Sequence, residues 1–491
     1  MHHPAMTWNA LASVDFGFNQ PFRLVLADSS ILYCEQVIRL VPRCRLVVFA
    51  TWNDRPVVAK LLFSQRSAEQ FAREVQGVQS FIANNIPTPA LYFADTSYDK
   101  RLHILVFERI INAQNVEDSL QSVTDHTRDQ PLIQALVREL ATQHALGIVQ
   151  RDLHLKNFLV TSSVAEDSLG DESINIYTLD GADIEVTKDP VSKAASLDNL
   201  SLLLSQFSIA LDNELEKLFQ LYTQLRGWIG KDTDVMALKK AIKHWRKVRW
   251  QRHAKKIFRD CSQFAKFNAR RVAGMVERSH QSAEFSDFLK NPDAIFSDPD
   301  TVILKSGRSS TVAKVTVGGK VLVVKRYNLK GLWHRLRRCL RITRARRSWY
   351  LAQKLYFFGI PTAKTVAFVE RRYLGLRGRS YLVMEWVTGV RGDEYFSPSH
   401  VVPADFVLVI ERILLLVVNV AKLQMTHGDL KMTNIFIDQY FYPLLVDLDG
   451  MQEHKRVFSL RRALHKEVQR LLDNFRDQHL IKQIFMKIFA L

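Results

Sequence analysis

Two segments of the chain carry the same set of chemically active side chains at the same spacing. Each set holds an aspartate five residues before an asparagine and, further along, a second aspartate that ends an apolar run. The two sets are Asp152, Asn157 and Asp180, and Asp429, Asn434 and Asp447. A carboxylate can accept the proton of a hydroxyl group, and carboxylate and amide oxygens suit Mg²⁺. The repetition indicates two sites with the same chemistry.

A lysine on a predicted strand precedes each set. Lys60 belongs to the apolar segment 57–63, and Lys325 ends the segment 321–325. Glu74 follows Lys60 by 14 residues, on a predicted helix. A strand lysine, a helix glutamate that holds it, an aspartate base and an Asn/Asp pair that binds Mg²⁺ form the ATP site of kinase-fold phosphotransferases. Both halves of the chain resemble that site.

The resemblance implies a role for each residue. The bases for the acceptor hydroxyl would be Asp152 and Asp429. The Mg²⁺ ligands would be Asn157, Asp180, Asn434 and Asp447. The ATP-binding residues would be Lys60, Glu74 and Lys325.

The second half departs from the general kinase pattern at the helix glutamate. Alignment of the two halves at a shared Ile-Pro-Thr sequence puts Ser348 where the first half has Glu74, and no acid lies near it. This departure puts the activity of the second site in question. His427, two residues before the predicted base, can support the loop or be a packed histidine, and Gln150 replaces it in the first half.

The metal aspartate of the first half has two possible alignments. If Asp180-Gly181 is matched with Asp449-Gly450, Thr178 takes the position of Asp447 and the first site lacks a carboxylate there. We prefer Asp180 as the ligand because it directly follows a strand-like run.

Neither half has a glycine-rich loop to cover the phosphates of ATP. The second half offers Gly307 within the small residues 306–311, whose backbone N–H groups could approach phosphates. The corresponding segment of the first half, 41–45, has no glycine, and its arginines would supply the charge instead. No Walker A, HExxH or GxSxG sequence supports a P-loop, metalloprotease or hydrolase site.

Composition describes a folded protein of more than one domain. A chain of 491 residues is too long for one ordinary core. Its 47% hydrophobic and 24% charged residues exclude a disordered chain. Four widely spaced cysteines without a CxxC pair indicate reduced thiols in the cytoplasm, and no signal peptide is evident. The most apolar run, 406–423, is interrupted by Glu411 and Arg412, which favours a buried helix over a membrane span.

The net charge of +18 is concentrated in two segments. Residues 226–278 hold 16 Lys and Arg against four acids, and residues 325–354 hold 11 Lys and Arg with no acid. Such segments attract polyanions or form a solvated helix face, and the two interpretations are equally compatible with either run. The second segment, with Trp333 and Trp349, could bind acidic sugars through arginine or rest on an anionic membrane.

The predicted elements repeat in the same order. Strands are predicted at 22–26, 31–40, 45–50, 57–63 and 102–107, and again at 302–304, 311–317, 321–325 and 380–387. Helices are predicted at 68–84, 132–146, 197–225 and 405–425. We therefore predict an α+β chain of two tandem protein-kinase-like domains, each with a small β-rich N-lobe and a helical C-lobe. The predicted divisions are 1–225, a basic helical connector at 226–290, and 291–491 with a minimal C-lobe.

These residues together resemble the lipopolysaccharide core kinases, the bacterial family of heptose and Kdo kinases. The second half is the closer match, from the strand lysine Lys325 through His427-Gly428-Asp429 to Asp447-Leu448-Asp449. The resemblance implies ATP and Mg²⁺ as cofactors and a sugar hydroxyl of the lipopolysaccharide inner core, or another anionic glycolipid, as acceptor. It also implies peripheral contact with the cytoplasmic face of the inner membrane, and leaves open which sugar is modified and whether both sites are active.

Two other functions compete with this interpretation. In the first, one or both halves have lost catalysis and form a scaffold that binds anionic lipid or a partner enzyme. In the second, the Trp- and Arg-rich connector binds nucleic acid, which is disfavoured because no nucleic-acid module is recognised.

Overall fold

The computed structural model of the protein describes residues 4–121, 129–164, 172–229, 232–329, 341–373, 376–397 and 405–474. Contacts within the chain separate two units. Unit 1 consists of residues 1–206 and 213–246, and unit 2 of residues 207–212 and 247–491. The predicted domain boundaries at residues 225 and 290 stay predictions.

Unit 1 begins with a six-stranded antiparallel sheet. Its strands are β1 (Phe22–Val25), β2 (Ile31–Val41), β3 (Arg45–Trp52), β4 (Arg55–Leu62), β5 (Leu91–Thr96) and β6 (His103–Glu108). They lie in the order β1-β2-β3-β4-β6-β5. Alternate residues of β3, Leu46, Val48 and Ala50, are buried on one face. Because side chains alternate along a strand, the opposite face carries Lys60 and is partly open.

Helices and short strands follow in unit 1. The helices are α1 (Trp8–Ala12), α2 (Ser67–Ala83), α3 (Val116–Gln121), α4 (Gln130–Ala145), α5 (Lys193–Leu204) and α6 (Leu215–Leu225). The short strands are β7 (Gln114–Asn115), β8 (Ile148–Gln150), β9 (Phe158–Val164), β10 (Glu172–Thr178) and β11 (Ile184–Val186). In α4, apolar residues three and four apart form one buried stripe, as in Leu132, Leu136 and Leu140.

Unit 2 is built around a seven-stranded antiparallel sheet. Its strands are β12 (Phe264–Ala269), β13 (Val272–Glu277), β14 (Val302–Ser306), β15 (Ser310–Val317), β16 (Lys320–Tyr327), β17 (Thr365–Tyr373) and β18 (Leu376–Glu385). Their order is β12-β13-β17-β18-β16-β15-β14. The short strands are β19 (Val390–Arg391), β20 (Met425–Thr426), β21 (Ile435–Ile437), β22 (Pro443–Leu445) and β23 (Gln452–Glu453).

The helices of unit 2 are α8 (Ala283–Lys290), α9 (Arg344–Phe357), α10 (Gly392–Tyr395), α11 (Phe406–Lys422) and α12 (Val457–Asp473). One face of α11 forms the centre of a core that includes Val409, Ile410 and Ile413. Among the residues that the structure describes, no helix has both the length and the apolarity needed to cross a membrane. The described cysteines, Cys34, Cys44 and Cys261, are free thiols.

Strand pairing is the same around both predicted sites. Five strands lie in the order β2-β3-β4-β6-β5 in unit 1 and β14-β15-β16-β18-β17 in unit 2. In each unit a short three-stranded sheet follows, β7-β9-β10 or β19-β21-β22, together with a two-stranded pair, β8 with β11 or β20 with β23. The additional strands differ, since unit 1 adds β1 beside β2, whereas unit 2 adds β13 and β12 beside β17.

The basic connector at 226–290, predicted to be helical, is only partly helical. Helix α7 (Asp232–Lys256) follows the pattern, but residues 264–277 form the β12–β13 hairpin. Phe264, within the connector predicted to be helical, is instead a buried strand residue. The predicted helix at 197–225 is also interrupted, because residues 205–214 separate α5 from α6. Of the basic segment 325–354, residues 330–340, with Trp333, lie outside the described residues.

Candidate active site

In unit 1 the sheet and α2 bring Lys60 and Glu74 together. Lys60 lies on the partly open face of β4, and its Nζ forms an ion pair with Glu74 of α2. The Glu74 side chain is buried. Lys60 Nζ also lies 3.4 Å from the carbonyl oxygen of Leu179. The strand lysine is therefore anchored beside the residue that precedes Asp180.

The turn after β8 holds Asp152 and Asn157. A single 3₁₀ turn ends at Asn157, which is buried and donates from Nδ2 to the Asp152 carbonyl oxygen at 3.0 Å. His154 Nε2 lies 3.2 Å from Asp152 Oδ1. This hydrogen bond holds the pKa of Asp152 below its ordinary value, although partial burial opposes it. Asp152 therefore stays anionic and can accept a hydrogen bond from an acceptor hydroxyl.

Equivalent backbone hydrogen bonds align the two predicted metal loops. The Leu179 N–H donates to the Asn157 carbonyl oxygen at 2.9 Å in unit 1, and the Val446 N–H donates to the Asn434 carbonyl oxygen at 3.0 Å in unit 2. The next residue is an aspartate in both units. Asp180 therefore occupies the position that Asp447 has in unit 2, and this supports the preferred alignment.

The alternative alignment at Thr178 fails on the same kind of contact. The Thr88 hydroxyl donates to the Thr178 carbonyl oxygen at 2.8 Å, and the Thr362 hydroxyl donates to the Leu445 carbonyl oxygen at 2.8 Å. Thr178 is thus the counterpart of Leu445, two residues before the aspartate.

Electrostatics separate the roles of the two neighbouring carboxyl groups in unit 1. Burial raises the pKa of Glu74, and the charge of Asp180 adds to this, although Lys60 acts in the opposite direction. Burial also disfavours ionised Asp180, but the charge of Lys60 and hydrogen bonds from Glu74 and from the Ala182 N–H hold its pKa below the ordinary value. Asp180 therefore ionises more readily than Glu74 and is the carboxyl group suited to meet a cation.

Two arginines share the sheet face of Lys60. Lys60 pairs with Val47 across β3, and Val47 pairs with Arg39 across β2. Arg45 lies two residues before Val47 on β3, so all four residues project from the same face. The turn between β2 and β3 is the segment that lacks glycine.

These arginines lie within electrostatic reach of both functional carboxylates. Burial lowers the pKa of Arg39, and the positive charge of Arg45 adds to this, whereas Asp180 and Asp152 raise it. Arg45 also lowers the pKa of Asp180. The sequence pointed to the arginines of 41–45, but Arg39 could be recognised only once the β2–β3 register was known.

In unit 2 a loop carboxylate takes the place of the missing helix glutamate. Lys325 is buried, and its Nζ lies 2.6 Å from Asp447 Oδ1 and 2.6 Å from Asp449 Oδ2. Ser348 does lie at the position predicted for the glutamate, and its hydroxyl donates to Asp449 Oδ1 at 2.9 Å. The helix therefore reaches the lysine through Asp449, a residue whose role the sequence did not reveal.

Asp449 is the centre of a cationic and hydroxylic network. Arg344 Nη2 lies 2.7 Å from Asp449 Oδ2, and the Tyr327 hydroxyl donates to Asp449 Oδ1 at 2.6 Å. Burial alone would raise the pKa of Asp449, but Lys325, the Tyr327 hydroxyl and Arg344 lower it to about 2. Burial and the negative charge of Asp449 raise the pKa of Tyr327, so its hydroxyl stays a donor.

The loop of unit 2 presents Asp429 between two cations. Asn434 Nδ2 donates to the Asp429 carbonyl oxygen at 2.8 Å, as Asn157 does in unit 1. Lys431 Nζ lies 3.1 Å from Asp429 Oδ2, and Arg470 Nη1 lies 3.7 Å from Oδ1. Lys431 and His154 both lie two residues after the predicted base of their unit. The sequence pattern indicates no function for that position.

His427 and Gln150 support their loops through different partners. His427 Nε2 lies 3.0 Å from the Val446 carbonyl oxygen, so it joins the loop to the residue before Asp447. Burial lowers the pKa of His427 and keeps it neutral. Gln150 Nε2 instead donates to Gln143 Oε1 on α4 at 2.7 Å. Both residues are buried structural supports.

Gly307 lies in the turn between β14 and β15. Its N–H donates to the Ser310 carbonyl oxygen at 3.0 Å, and its carbonyl accepts from Asn328 Nδ2 at 2.9 Å. The turn is thus closed on itself and tied to the end of β16. Contact of Gly307 with phosphate stays a prediction.

The donor sets fit a magnesium ion that enters with nucleotide. Within the described ranges, no group of three or more His, Cys, Asp or Glu side chains could hold a metal ion alone. Mg²⁺ commonly uses one or two protein oxygens together with water and substrate phosphates. Asp180 with Asn157, and Asp447 with Asn434, supply oxygens of that kind.

Comparison with known proteins decides the family. The sequence model of the "Lipopolysaccharide kinase (Kdo/WaaP) family" matches residues 57–206 and 298–488, well over half of the chain. The chain belongs to the lipopolysaccharide kinase (Kdo/WaaP) family. It is therefore a phosphotransferase with the α+β, protein-kinase-like fold, and the two matched segments contain both predicted sites.

The other comparisons add little to the family assignment. No curated protein matches the chain. A solved structure of the Rio2 kinase from Chaetomium thermophilum, a complex with ADP/Mg²⁺ and phosphoaspartate, is similar with 16% identity and a TM-score of 0.29. The match covers 54% of this chain and 79% of that one. The assignment of the kinase family rests on the sequence match.

Proposed function

We propose that this kinase transfers the γ-phosphoryl group of ATP to a sugar hydroxyl, on heptose or Kdo, in the inner core of lipopolysaccharide. The observation that carries the proposal is the recurrence in both units of a strand lysine that forms an ion pair with a carboxylate, beside an aspartate loop in which the asparagine side chain donates to the aspartate carbonyl oxygen. Family membership supplies the class of acceptor.

We further propose that the chain is a tandem duplication. The shared order of five strands supports this, as do the matching hydrogen bonds at Leu179 and Val446. Such agreement extends through two lobes, whereas an insertion in a single kinase domain gives no reason for a second lysine, loop and metal aspartate. The proposal makes each unit a complete phosphotransfer site.

In unit 1, Asp152 accepts the proton of the acceptor hydroxyl as its oxygen attacks phosphorus. The pKa of Asp152 lies below its ordinary value, so Asp152 acts mainly by orienting the hydroxyl and receives the proton late. Lys60, held by Glu74, binds phosphate oxygens, and Arg39 and Arg45 supply positive charge where a glycine-rich loop would supply N–H donors. Bound at Asp180 and Asn157, Mg²⁺ would neutralise charge on the phosphates.

In unit 2, Lys325 contacts both Asp447 and Asp449. On nucleotide binding we expect Lys325 to exchange Asp447 for phosphate and to keep Asp449. Asp447 is then released to bind Mg²⁺ with Asn434. Asp449 thus does for Lys325 what Glu74 does for Lys60, and Asp429 acts as the base.

A lipid-linked acceptor places the reaction at a membrane surface. We propose that the protein works at the cytoplasmic face of the inner membrane, in peripheral contact with it. The net charge of +18 supports attraction to anionic lipid and to the acidic core sugars.

The test is phosphate transfer by the full-length protein from radiolabelled ATP to lipopolysaccharide lacking core phosphate. Asp152→Asn and Asp429→Asn are made separately and together, with the exposed Asp189→Asn and Asp300→Asn as matched controls. Loss of a positioned base lowers transfer at its own site by at least about 100-fold. Mass spectrometry of the product core identifies which sugar each unit modifies.

A scaffold makes a different prediction. It tolerates both substitutions, and cells that lack the protein then retain phosphate on the core. If the double variant transfers phosphate as the wild type does, phosphotransfer by these residues is wrong.

A further inference from the structure

A cavity of about 270 Å³ lies in unit 2, away from the Lys325 site. Its floor is apolar, formed by Phe258, Met275 and Phe368, and it is bordered by strands β12, β13 and β17 and by helix α9. Gly274 contributes backbone only, since a Cβ there would meet the Phe368 carbonyl oxygen at 1.9 Å. The cavity is therefore a product of the hairpin that extends this sheet, and unit 1 has no strands at that edge among its described residues.

The polar lining of the cavity is cationic. Lys266, Arg346 and Arg372 line it together with the amide of Asn268, and none of the lining residues that the structure describes is acidic. The Arg346 guanidinium lies 4.6 Å from the centre of the Phe258 ring. Stacking of this kind orients the guanidinium and leaves its edge donors available to an anion. Arg372 is also paired with a carboxylate, since its Nη2 lies 3.1 Å from Glu370 Oε2.

Strand register separates this cavity from the nucleotide site. A single cross-strand row runs from Lys325 through Leu382, Phe368 and Met275 to Lys266. Both lysines are thus on the same face, and four strand spacings put them about 19 Å apart. Helix α9 lies between them. Arg346 is two positions from Arg344 and from Ser348, a rotation of about 200° around the helix axis, so it faces away from the Asp449 network.

The structure assigns this cavity to a second anion site, which takes a phosphate monoester. The guanidinium of Arg346, the donors of Arg372 that Glu370 does not engage, and the ammonium of Lys266 match the oxygens of a phosphate dianion, and the apolar floor accepts the carbon skeleton that carries it. The cavity is open to solvent on one side, and its volume suits a phosphorylated sugar or a lipid phosphate headgroup. Binding of the anion does not depend on the phosphotransfer proposed above.

The test is isothermal titration of the full-length protein with inorganic phosphate and with glucose 1-phosphate, together with flotation on phosphatidylcholine vesicles that contain phosphatidic acid. The variants are Lys266→Gln with Arg346→Gln, Lys266→Arg as the conservative change, and the exposed Lys305→Gln as control. Lys325→Gln separates this cavity from the nucleotide cleft. Thermal unfolding and circular dichroism check that each variant is folded.

The double variant should bind phosphate at least about tenfold more weakly, because each charge-assisted hydrogen bond contributes a comparable factor. Lys266→Arg and Lys305→Gln should bind as the wild type does. Binding of the soluble ester identifies a sugar phosphate as the ligand, and binding of vesicles alone identifies a lipid headgroup. If neither probe binds, if the double variant retains full affinity, or if only Lys325→Gln loses it, the assignment is wrong.

Discussion

Replacement of Asp449 by asparagine tests whether this residue anchors Lys325. The substitution keeps the size of the side chain and removes its charge. The Asp449 and Lys325 side chains are 13% and 7% exposed, so solvent screens their interaction weakly. Lys325 would then keep Asp447 alone, and Arg344 would lose its carboxylate partner.

The size of the effect follows from the pKa of Asp449. A folded-state value of about 2, against about 3.9 in an unfolded chain, corresponds to about 2–3 kcal/mol. Because the folded pKa is the lower one, this stabilisation is complete above pH 4 and is lost as the pH falls from about 4 to 2. At pH 7 the variant should lack all of it.

Hydrogen exchange of the full-length protein measures this loss locally. The reporting segments are β16 and α9, which surround Asp449. In Asp449→Asn their amides should exchange about 30- to 160-fold faster at pH 7, since 1.36 kcal/mol corresponds to a factor of ten. The exposed Asp300→Asn is the matched control. Protection of both segments within threefold of the control would refute the anchoring role of Asp449.

Three further predictions concern unit 1. The double change of Arg39 and Arg45 to glutamine should weaken ATP binding to this unit at least about tenfold and leave the folded state intact, because two phosphate-facing charges are removed. Alanine at Gly77 should destabilise unit 1 by about 1–3 kcal/mol in denaturant unfolding despite its better helix propensity, because the new Cβ would lie 2.0 Å from the Gly181 carbonyl oxygen. His144→Gln should remove part of the pH dependence of stability, since burial lowers the pKa of His144 to about 4 against about 6.5 in an unfolded chain; stability of the wild type falls by up to about 3 kcal/mol as the pH drops from 6.5 to 4.

Each of these predictions has a result that contradicts it. Arg55→Gln, on the exposed start of β4, is the control for the arginine pair, and equal ATP affinity in both variants would exclude a role in phosphate binding. An alanine at Gly77 that leaves unfolding unchanged would show that α2 and the Asp180 loop can separate. Parallel stability curves for the wild type and His144→Gln between pH 6.5 and 4 would mean that His144 binds its proton equally in both states.

The local sequence pattern was sufficient to predict most residues of the candidate site. Lys60 and Lys325 end or lie within apolar runs that form β4 and β16, and the Asp-to-Asn spacing marks both loops. These features depend on residues close in sequence. The kinase-like architecture is predicted from the resemblance that these motifs carry, whereas the order of strands in each sheet depends on long-range pairing.

The register between strands that are distant in sequence could not be predicted from the local pattern. Arg39 joins the site because β2 pairs with β3 at one offset and not another. Asp449 replaces the helix glutamate through contacts 124 residues from Lys325, and nothing near Ser348 indicates this. The sequence of residues 264–277 predicts a helix because its apolar residues fit the period of a helix as well as that of a strand. Pairing of the β12–β13 hairpin with β17 makes these residues strands.

Lys60 and Lys325 differ in the structural element that provides their carboxylate partner. Glu74 belongs to helix α2, so rotation of α2 would separate Lys60 from the carboxylate that holds it. Asp449 is joined to Asp447 through one intervening residue. In unit 2, therefore, the carboxylate that holds Lys325 and the predicted metal aspartate belong to the same loop and move together. Displacement of α2 would therefore act on the carboxylate that holds the first lysine directly, whereas displacement of α9 would reach the second lysine only through Ser348 and Arg344, which hold Asp449.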